Sequence, residues 1–382
     1  MKRLIPLIAA VLLAACGQAV PAASPTTAAY PADAVATTVP SDAAYPAASP
    51  ETTGTSDQKL VVMTHDSFSV SEEVLAAFEQ QTGITVEVLK AGDAGSALNQ
   101  AILSKEAPLA DVFFGVDNTF LSRALAADIF LPYDSPALAA IPAELNLDTS
   151  NRLLPVDYGY VTINYDKATL EQAGLTPPTS LEDLTKPEWK GKLVVEDAST
   201  SSPGLAFLLA TVAHFGETGS YTWKDYWRDL RANEVFVSSG WSEAYYTQFS
   251  GSSGKGAYPL VVSYATSPAA EVYFSEGKLT EPPTGNLLPP GGSFRQIEFV
   301  GILKGSQHAD LAQKFVDFML SEQFQADIPL QMFVYPALPT APQPEVFTTF
   351  AEVPAQEAGL SPEQIEAGRE QWIKEWTELV LR

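Results

Sequence analysis

Leu60-Val61-Val62-Met63-Thr64-His65-Asp66-Ser67 is where the chain begins to read as a folded domain. Four consecutive apolar residues suit a strand buried on both faces, and the polar run after them suits a loop leaving its carboxyl end. Ser69 and Glu72 have capping-box spacing ahead of a helix that carries Val74, Leu75 and Phe78. Ile84-Thr85-Val86-Glu87-Val88 is a second strand, and a helix follows through Leu98, Ala101 and Ile102. Asp111-Val112-Phe113-Phe114 is a third strand, with a helix running on through Leu121 and Leu125. Strand and helix alternate, which predicts an α/β fold with a largely parallel sheet and helices on its faces.

The alternation returns further along. Leu193-Val194-Val195 precedes a helix from Pro203 to about His214, Val235-Phe236-Val237 one from Ser242, and Leu260-Val261-Val262 one from Pro268. Two lobes are expected: a first part of lobe I over 58–157, lobe II over 158–293, and a return to lobe I over 294–382. Val156 to Asp166 reads as an extended crossover, and Phe299-Val300-Gly301-Ile302 as the strand that brings the chain back. Helices through Phe315, Phe318 and Met319 and through Ile373, Trp376 and Val380 finish it. Trp372 and Trp376 read as packing residues.

The chain has 382 residues, with 46 acidic and 22 basic side chains and a formal charge of −24. That balance excludes a nucleic-acid binder, which needs a basic footprint, and suits a site for cations. One Cys and three scattered His exclude a disulfide framework and a zinc cage. At the amino terminus Lys2 and Arg3 precede an apolar stretch, Leu4 to Leu13, too short to span a bilayer. Leu13-Ala14-Ala15-Cys16 resembles the lipobox of bacterial lipoproteins, so residues 1–15 read as the signal peptide and Cys16 as the lipidated residue. Between 17 and 57 there is no Lys or Arg, and Ala, Pro, Thr and Ser dominate. Such a segment buries too little apolar area to offset its ordering entropy, and reads as a tether.

In open α/β sheets ligands sit at the loops leaving the carboxyl ends of strands. In the first lobe these loops hold Thr64-His65-Asp66-Ser67, Gly92-Asp93-Ala94-Gly95-Ser96 and Asp117-Asn118. In the second they hold Ser199-Thr200-Ser201-Ser202-Pro203-Gly204, Gly240-Trp241-Ser242 and Tyr264-Ala265-Thr266-Ser267. An acidic edge thus faces a hydroxyl-rich one with two aromatics. Each group also has a structural reading. Ser202-Pro203 suits a helix N-cap and first turn, Trp241 suits a core position, and Asp66, Asp93 and Asp117 suit helix caps. Gly240-Trp241-Ser242-Glu243-Ala244 approaches a nucleophile elbow, but His308 is the one His after Ser242, which weakens a serine hydrolase.

From about Lys59 onward the chain resembles the thiamine-binding proteins of bacterial ABC importers. The resemblance rests on Thr64-His65-Asp66-Ser67-Phe68, Ala110 through Asn118, Asp157-Tyr158-Gly159-Tyr160, Thr200 through Leu205, Gly240 through Tyr245, Ser263 through Pro268, Tyr335-Pro336 and Trp372-Ile373-Lys374-Glu375-Trp376. It implies a type II periplasmic-binding-protein fold with the ligand between the lobes. It also implies contacts from Asp93, Ala94, Ser201, Ser202, Trp241 and Tyr264-Ala265-Thr266-Ser267, with His65 and Asp66 beside them. His65, Ala270 and Phe333 stand where the family can carry further aromatics. Trp241 and Tyr264 suit stacking on the rings and on the thiazolium cation. Asp93 and Asp66 suit the amino group and the charge, and Ser201 and Ser202 the hydroxyl or phosphate end. The implied partners are a thiamine-type ligand, an ABC permease with its ATPase, and a membrane met through the lipid anchor alone. The protein is expected to be a non-enzymatic monomer without cofactor or nucleic acid. Ferric-iron and polyamine binding are the alternatives on the same fold. Leu181-Glu182-Asp183-Leu184 and Trp189-Lys190-Gly191-Lys192 suit several such binders, although Tyr245-Tyr246 falls in a predicted helix rather than on a cleft loop. If Cys16 carries the anchor, Cys16→Ser moves the protein from the membrane fraction to the soluble one or leaves it unprocessed, as fractionation and intact mass will show.

Overall fold

The computed structural model describes residues 58–253 and 255–382. The signal peptide, Cys16 and the tether lie outside them. The opening apolar run is β1 (Gln58–Thr64), with β2 (Ile84–Lys90) and β3 (Val112–Asp117) parallel on its two sides. Between and after these strands come α1 (Glu72–Thr82), α2 (Ala94–Leu103) and α3 (Leu121–Ala126). The continuous apolar pattern has the expected cause. On β3, Val112 and Phe114 enter one core while Phe113 enters the other, so both faces are dry. Ser71, not Ser69, caps α1, its hydroxyl accepting from Val74 N at 3.3 Å. Ser69 instead donates to Gln331 Oε1 at 3.1 Å, because the chain stays extended two residues longer than the capping box requires.

After the short β4 (Phe130–Leu131), the crossover is β5 (Leu154–Asp166), a strand of 13 residues that leads into α4 (Lys167–Gln172). The second set comprises β6 (Leu193–Glu196), α5 (Ser202–Phe215), α6 (Trp223–Ala232), β7 (Phe236–Ser238), α7 (Trp241–Glu243), α8 (Ser250–Ser253), β8 (Leu260–Tyr264) and α9 (Ser267–Phe274). The helix expected from Ser242 is a single turn that widens into a π-helical turn over Ala244–Gln248. β9 (Thr284–Leu287) and β10 (Phe294–Leu303) follow. Then come α10 (Ala309–Met319), α11 (Glu322–Gln331), β11 (Tyr335–Pro336), α12 (Glu345–Phe350) and α13 (Pro362–Trp376).

The eleven strands of the described residues join one sheet with the path β2-β1-β3-β10-β5-β8-β6-β7, with β4 pairing β10 and β9 and β11 pairing β5 off that path. Its ends are parallel, as the alternation predicts. Its middle is not: β10 runs antiparallel to β3 and to β5, and β5 antiparallel to β8. The largely parallel expectation therefore holds within each half and fails where the halves meet, because β5 and β10 each cross from one half to the other. Trp227 and Trp376 meet edge to face at 5.5 Å in the second core, and Trp372 Nε1 donates to Glu217, so these tryptophans pack. No helix among the described residues is long and apolar enough to cross a membrane.

Gln325 pins the return to the first half. Its buried amide donates to Val156 O at 2.9 Å and Met319 O at 2.8 Å, and its oxygen accepts from Leu338 N at 2.9 Å. Gln325→Met keeps the volume and strands three buried backbone groups. Each costs about 1–3 kcal/mol when unpaired, so a loss of about 3 kcal/mol or more is expected in urea unfolding at neutral pH.

Candidate functional site

A cavity of about 580 Å³ opens between the two halves of the sheet. Nine of the residues singled out in the sequence line it: His65, Asp66, Asp93, Ala94, Ser202, Trp241, Tyr264, Thr266 and Ser267. They come from loops at the carboxyl ends of β1, β2, β6, β7 and β8, which the parallel pairing at each end of the sheet brings to one edge. Ser201 and Ala265 do not line it; both are fully buried behind the wall. At Ser201 the cause is the helix start: it takes the N-cap backbone position of α5, and its hydroxyl has no partner among the described residues. Ser202, in the first turn, donates its hydroxyl to Asp117 Oδ2 instead of acting as the cap.

The acids divide by task. Asp93 caps α2, Oδ1 accepting from Ala94 N at 2.7 Å, while Oδ2 accepts from Trp241 N at 3.1 Å across the cavity. Asp66 accepts from Gly92 N at 3.0 Å and so ties two loops of the first half. Asp117 is buried beneath the wall and joins the halves through Ser202, so it caps no helix and does not face the cavity. Gly95 N donates to Thr200 O at 3.0 Å, and a Cβ on Gly95 would stand 2.6 Å from that oxygen. Only a glycine lets the two backbones meet there. These bonds hold the halves together around the space.

Trp241 forms the aromatic wall. Its ring stacks on Tyr245 at 5.1 Å and 13°, meets Tyr246 edge on at 5.4 Å, and stands 6.2 Å from Tyr264. Its Nε1 donates to Ser263 Oγ at 2.8 Å, which fixes the ring plane. The π-helical turn is what brings Tyr245 and Tyr246 to the cavity. Tyr264 Oη donates to Gln296 Oε1 at 3.0 Å and Tyr245 Oη to Glu271 Oε1 at 2.6 Å. Burial holds both phenols well above their usual range.

His65 sits over Gly115, whose φ of +103° and missing Cβ make room; a Cβ there would stand 2.4 Å from the imidazole. Its Nε2 lies 3.1 Å from Glu298 Oε1. Burial opposes its charge, yet Glu298, with Asp93 and Asp117 further off, raises its pKa above the ordinary value. Lys90 is the other basic residue of the lining, against Asp66, Asp93, Glu271 and Glu298, so the net field favours a cation. Glu271, Gln296, Glu298 and Phe274 were not singled out from the sequence, and Tyr245-Tyr246, set aside there as a helical pair off the cleft loops, lines the cavity because the π-helical turn carries both rings to it. Glu298 and Gln296 read as ordinary strand residues, and Phe274, 64% exposed at the mouth, gives no local signal. Ala270 and Phe333 also line the cavity. Ser242 is in the wall, whereas His308 pairs with Asp111 at 3.3 Å.

Residues 107–352 match the family model described as bacterial extracellular solute-binding protein. The thiamine-binding periplasmic protein of Salmonella typhimurium is 33% identical over 85% of this chain and 94% of that one. A solved periplasmic thiamin binding protein superposes with a TM-score of 0.74 at 30% identity, over 86% of this chain and 98% of that one. The Fe(3+)-binding periplasmic protein of Serratia marcescens is 26% identical over 65% of this chain and 69% of that one.

Glu196, at the end of β6, is fully buried and neither carboxylate oxygen has a partner among the described residues. Burial, and then Asp93, raise it well above its ordinary 4.5. The folded state therefore holds a proton that the unfolded chain gives up. Its stability is full below about pH 4.5 and falls as pH rises toward the folded pKa, by about 1.4 kcal/mol per unit. Glu196→Gln removes that loss. Its melting temperature should exceed the parent's at pH 7.5 and approach it near pH 4, and a constant difference at both would contradict this origin.

Proposed function

This chain belongs to the bacterial extracellular solute-binding proteins, and on that premise we propose that it captures thiamine, free or phosphorylated, between the halves of its sheet and delivers it to an ABC importer. The observation that carries the reading is the pairing of an aromatic wall with an acidic cavity. Thiamine is a cation with two heteroaromatic rings. Trp241, backed by Tyr245, and Tyr264 supply ring faces, each worth about 0.5–2 kcal/mol against a cation. Asp93 and Glu298 supply the opposing charge, and Gln296, Ser267 and Thr266 the polar edges. The similarity to thiamine-binding periplasmic proteins over most of both chains supports the same ligand.

Iron suits the cavity less well. Ferric ion needs anionic oxygens, often phenolates, and the hydroxyls of Tyr245 and Tyr264 are donors in hydrogen bonds with raised pKa. Among the described residues no group of three or more His, Cys, Asp or Glu is placed to hold a metal ion. The chemistry proposed is capture alone, with no covalent bond of the ligand made or broken.

The same proposal includes its setting. The chain works outside the cytoplasm as a monomer, held to a membrane by lipid on Cys16. The boundaries 58–157, 158–293 and 294–382 mark two lobes that part to admit the ligand and close on it, with contacts such as Asp93–Trp241 shifting the balance. Trp241→Leu removes the largest stacking face and should weaken thiamine binding by about 1–3 kcal/mol, taking base–aromatic stacking as the guide. Calorimetric titration of the folded variant measures it, and wild-type affinity in that variant would show that the ligand lies elsewhere.

A further inference from the structure

Behind the cavity wall, β5 and β10 place Asp157 directly opposite Glu298. Asp157 is fully buried, and neither of its oxygens receives a hydrogen bond from any N–H or O–H among the described residues. Its facing neighbour is a second carboxyl group. Glu298 forms part of the cavity lining, with His65 Nε2 3.1 Å from its Oε1. The other titratable groups around this pair are Asp117 at the end of β3, Asp93 at the start of α2 and Tyr264 on β8. Tyr264 donates to Gln296 and not to the carboxylates. Asp93 and Asp117 already accept backbone and hydroxyl hydrogens of their own.

Counting charge at this spot gives one imidazolium against two facing carboxylates, of which Asp157 is fully buried behind the cavity wall. Two ionised carboxylates in such a place are strongly disfavoured. A proton on Asp157, donated to Glu298, satisfies both. Burial and the adjoining Glu298 raise Asp157 well above the carboxylate range, and Asp117 stands at about 6 for the same reason of burial.

We infer that the protein takes up its cationic ligand in exchange for the proton shared by Asp157 and Glu298, so that capture releases a proton to solvent. The inference rests on the thiamine reading above. A cation arriving beside Glu298 supplies the positive charge the pair lacked. The O–H bond of Asp157 then breaks, its electron pair stays on the carboxylate, and the proton leaves to water; nothing is oxidised or reduced. Capture tightens as pH rises, and acidification favours release. Asp157 does not line the cavity and acts through Glu298, as a positioning residue.

Calorimetric titration of the full chain with thiamine, repeated in buffers of different ionisation enthalpy, counts the protons released. The wild type should release up to one proton per thiamine, with affinity rising as pH rises, by at most about tenfold per unit while the pair holds its proton. Asp157→Asn should still bind thiamine, release none, and show affinity nearly independent of pH. Asp157→Ser gives a second removal of the carboxyl group should the amide disturb folding. The wild-type series decides by itself whether a proton leaves. Thiamine binding without proton release overturns the inference while leaving the ligand intact. Equal release from the wild type and Asp157→Asn overturns it too, since the proton then comes from elsewhere, with His65 the first alternative. Absence of any thiamine binding removes the ligand reading and this inference together.

Discussion

The antiparallel pairing of β5 with β10 is the contact on which the rest of the molecule depends. Each strand crosses from one half of the sheet to the other, so their hydrogen bonds join two parallel βα sets that would otherwise be separate bodies. The same register puts Asp157 opposite Glu298, which lines the cavity. A shift by one residue would turn Glu298 away from the cavity and bury a neighbour in its place. Fold and site are thus set by one pairing.

Among the described residues the molecule buries several carboxyl groups with no cation in ion-pair contact beside them. Asp117, Asp157 and Glu196 are all fully buried, and each is raised in pKa by its burial. A protein selected only for stability would fill such positions with apolar residues. The aromatic wall does the complementary task, since Trp241 and Tyr264 attract a cation through their ring faces without adding further charge to be buried.

The halves already touch across the cavity through Asp93 with Trp241, Ser202 with Asp117, and Gly95 with Thr200. These are single polar contacts between loops. Behind them one core, with Phe78, Phe315 and Phe318, belongs to the first half, whereas the core holding Phe207, Trp227 and Trp376 also takes in Met63, Leu98 and Phe113 and so runs beneath both halves. The loop hydrogen bonds can be exchanged for water at little cost, whereas disturbing either core would not be so readily offset.

Much was legible in the sequence because it is local. Apolar runs buried on both faces mark β1, β3 and β6, helix periodicity marks the elements between them, and the carboxyl-end loops follow from the strand order. His65, Asp93, Trp241 and Tyr264 were reached that way. Cap positions were less secure, as Ser71 in place of Ser69 and Ser201 ahead of Ser202 show, because a cap depends on where the chain leaves the extended conformation. What only the tertiary structure decided is non-local. Glu298 and Gln296 sit in an unremarkable strand until β10 is laid beside β5, and Asp157 looks like any strand acid until its partner across the ladder proves to be another carboxyl group. Charge on a residue is written in the sequence, but the cost of that charge depends on what surrounds it, and the surroundings come from residues more than a hundred positions away.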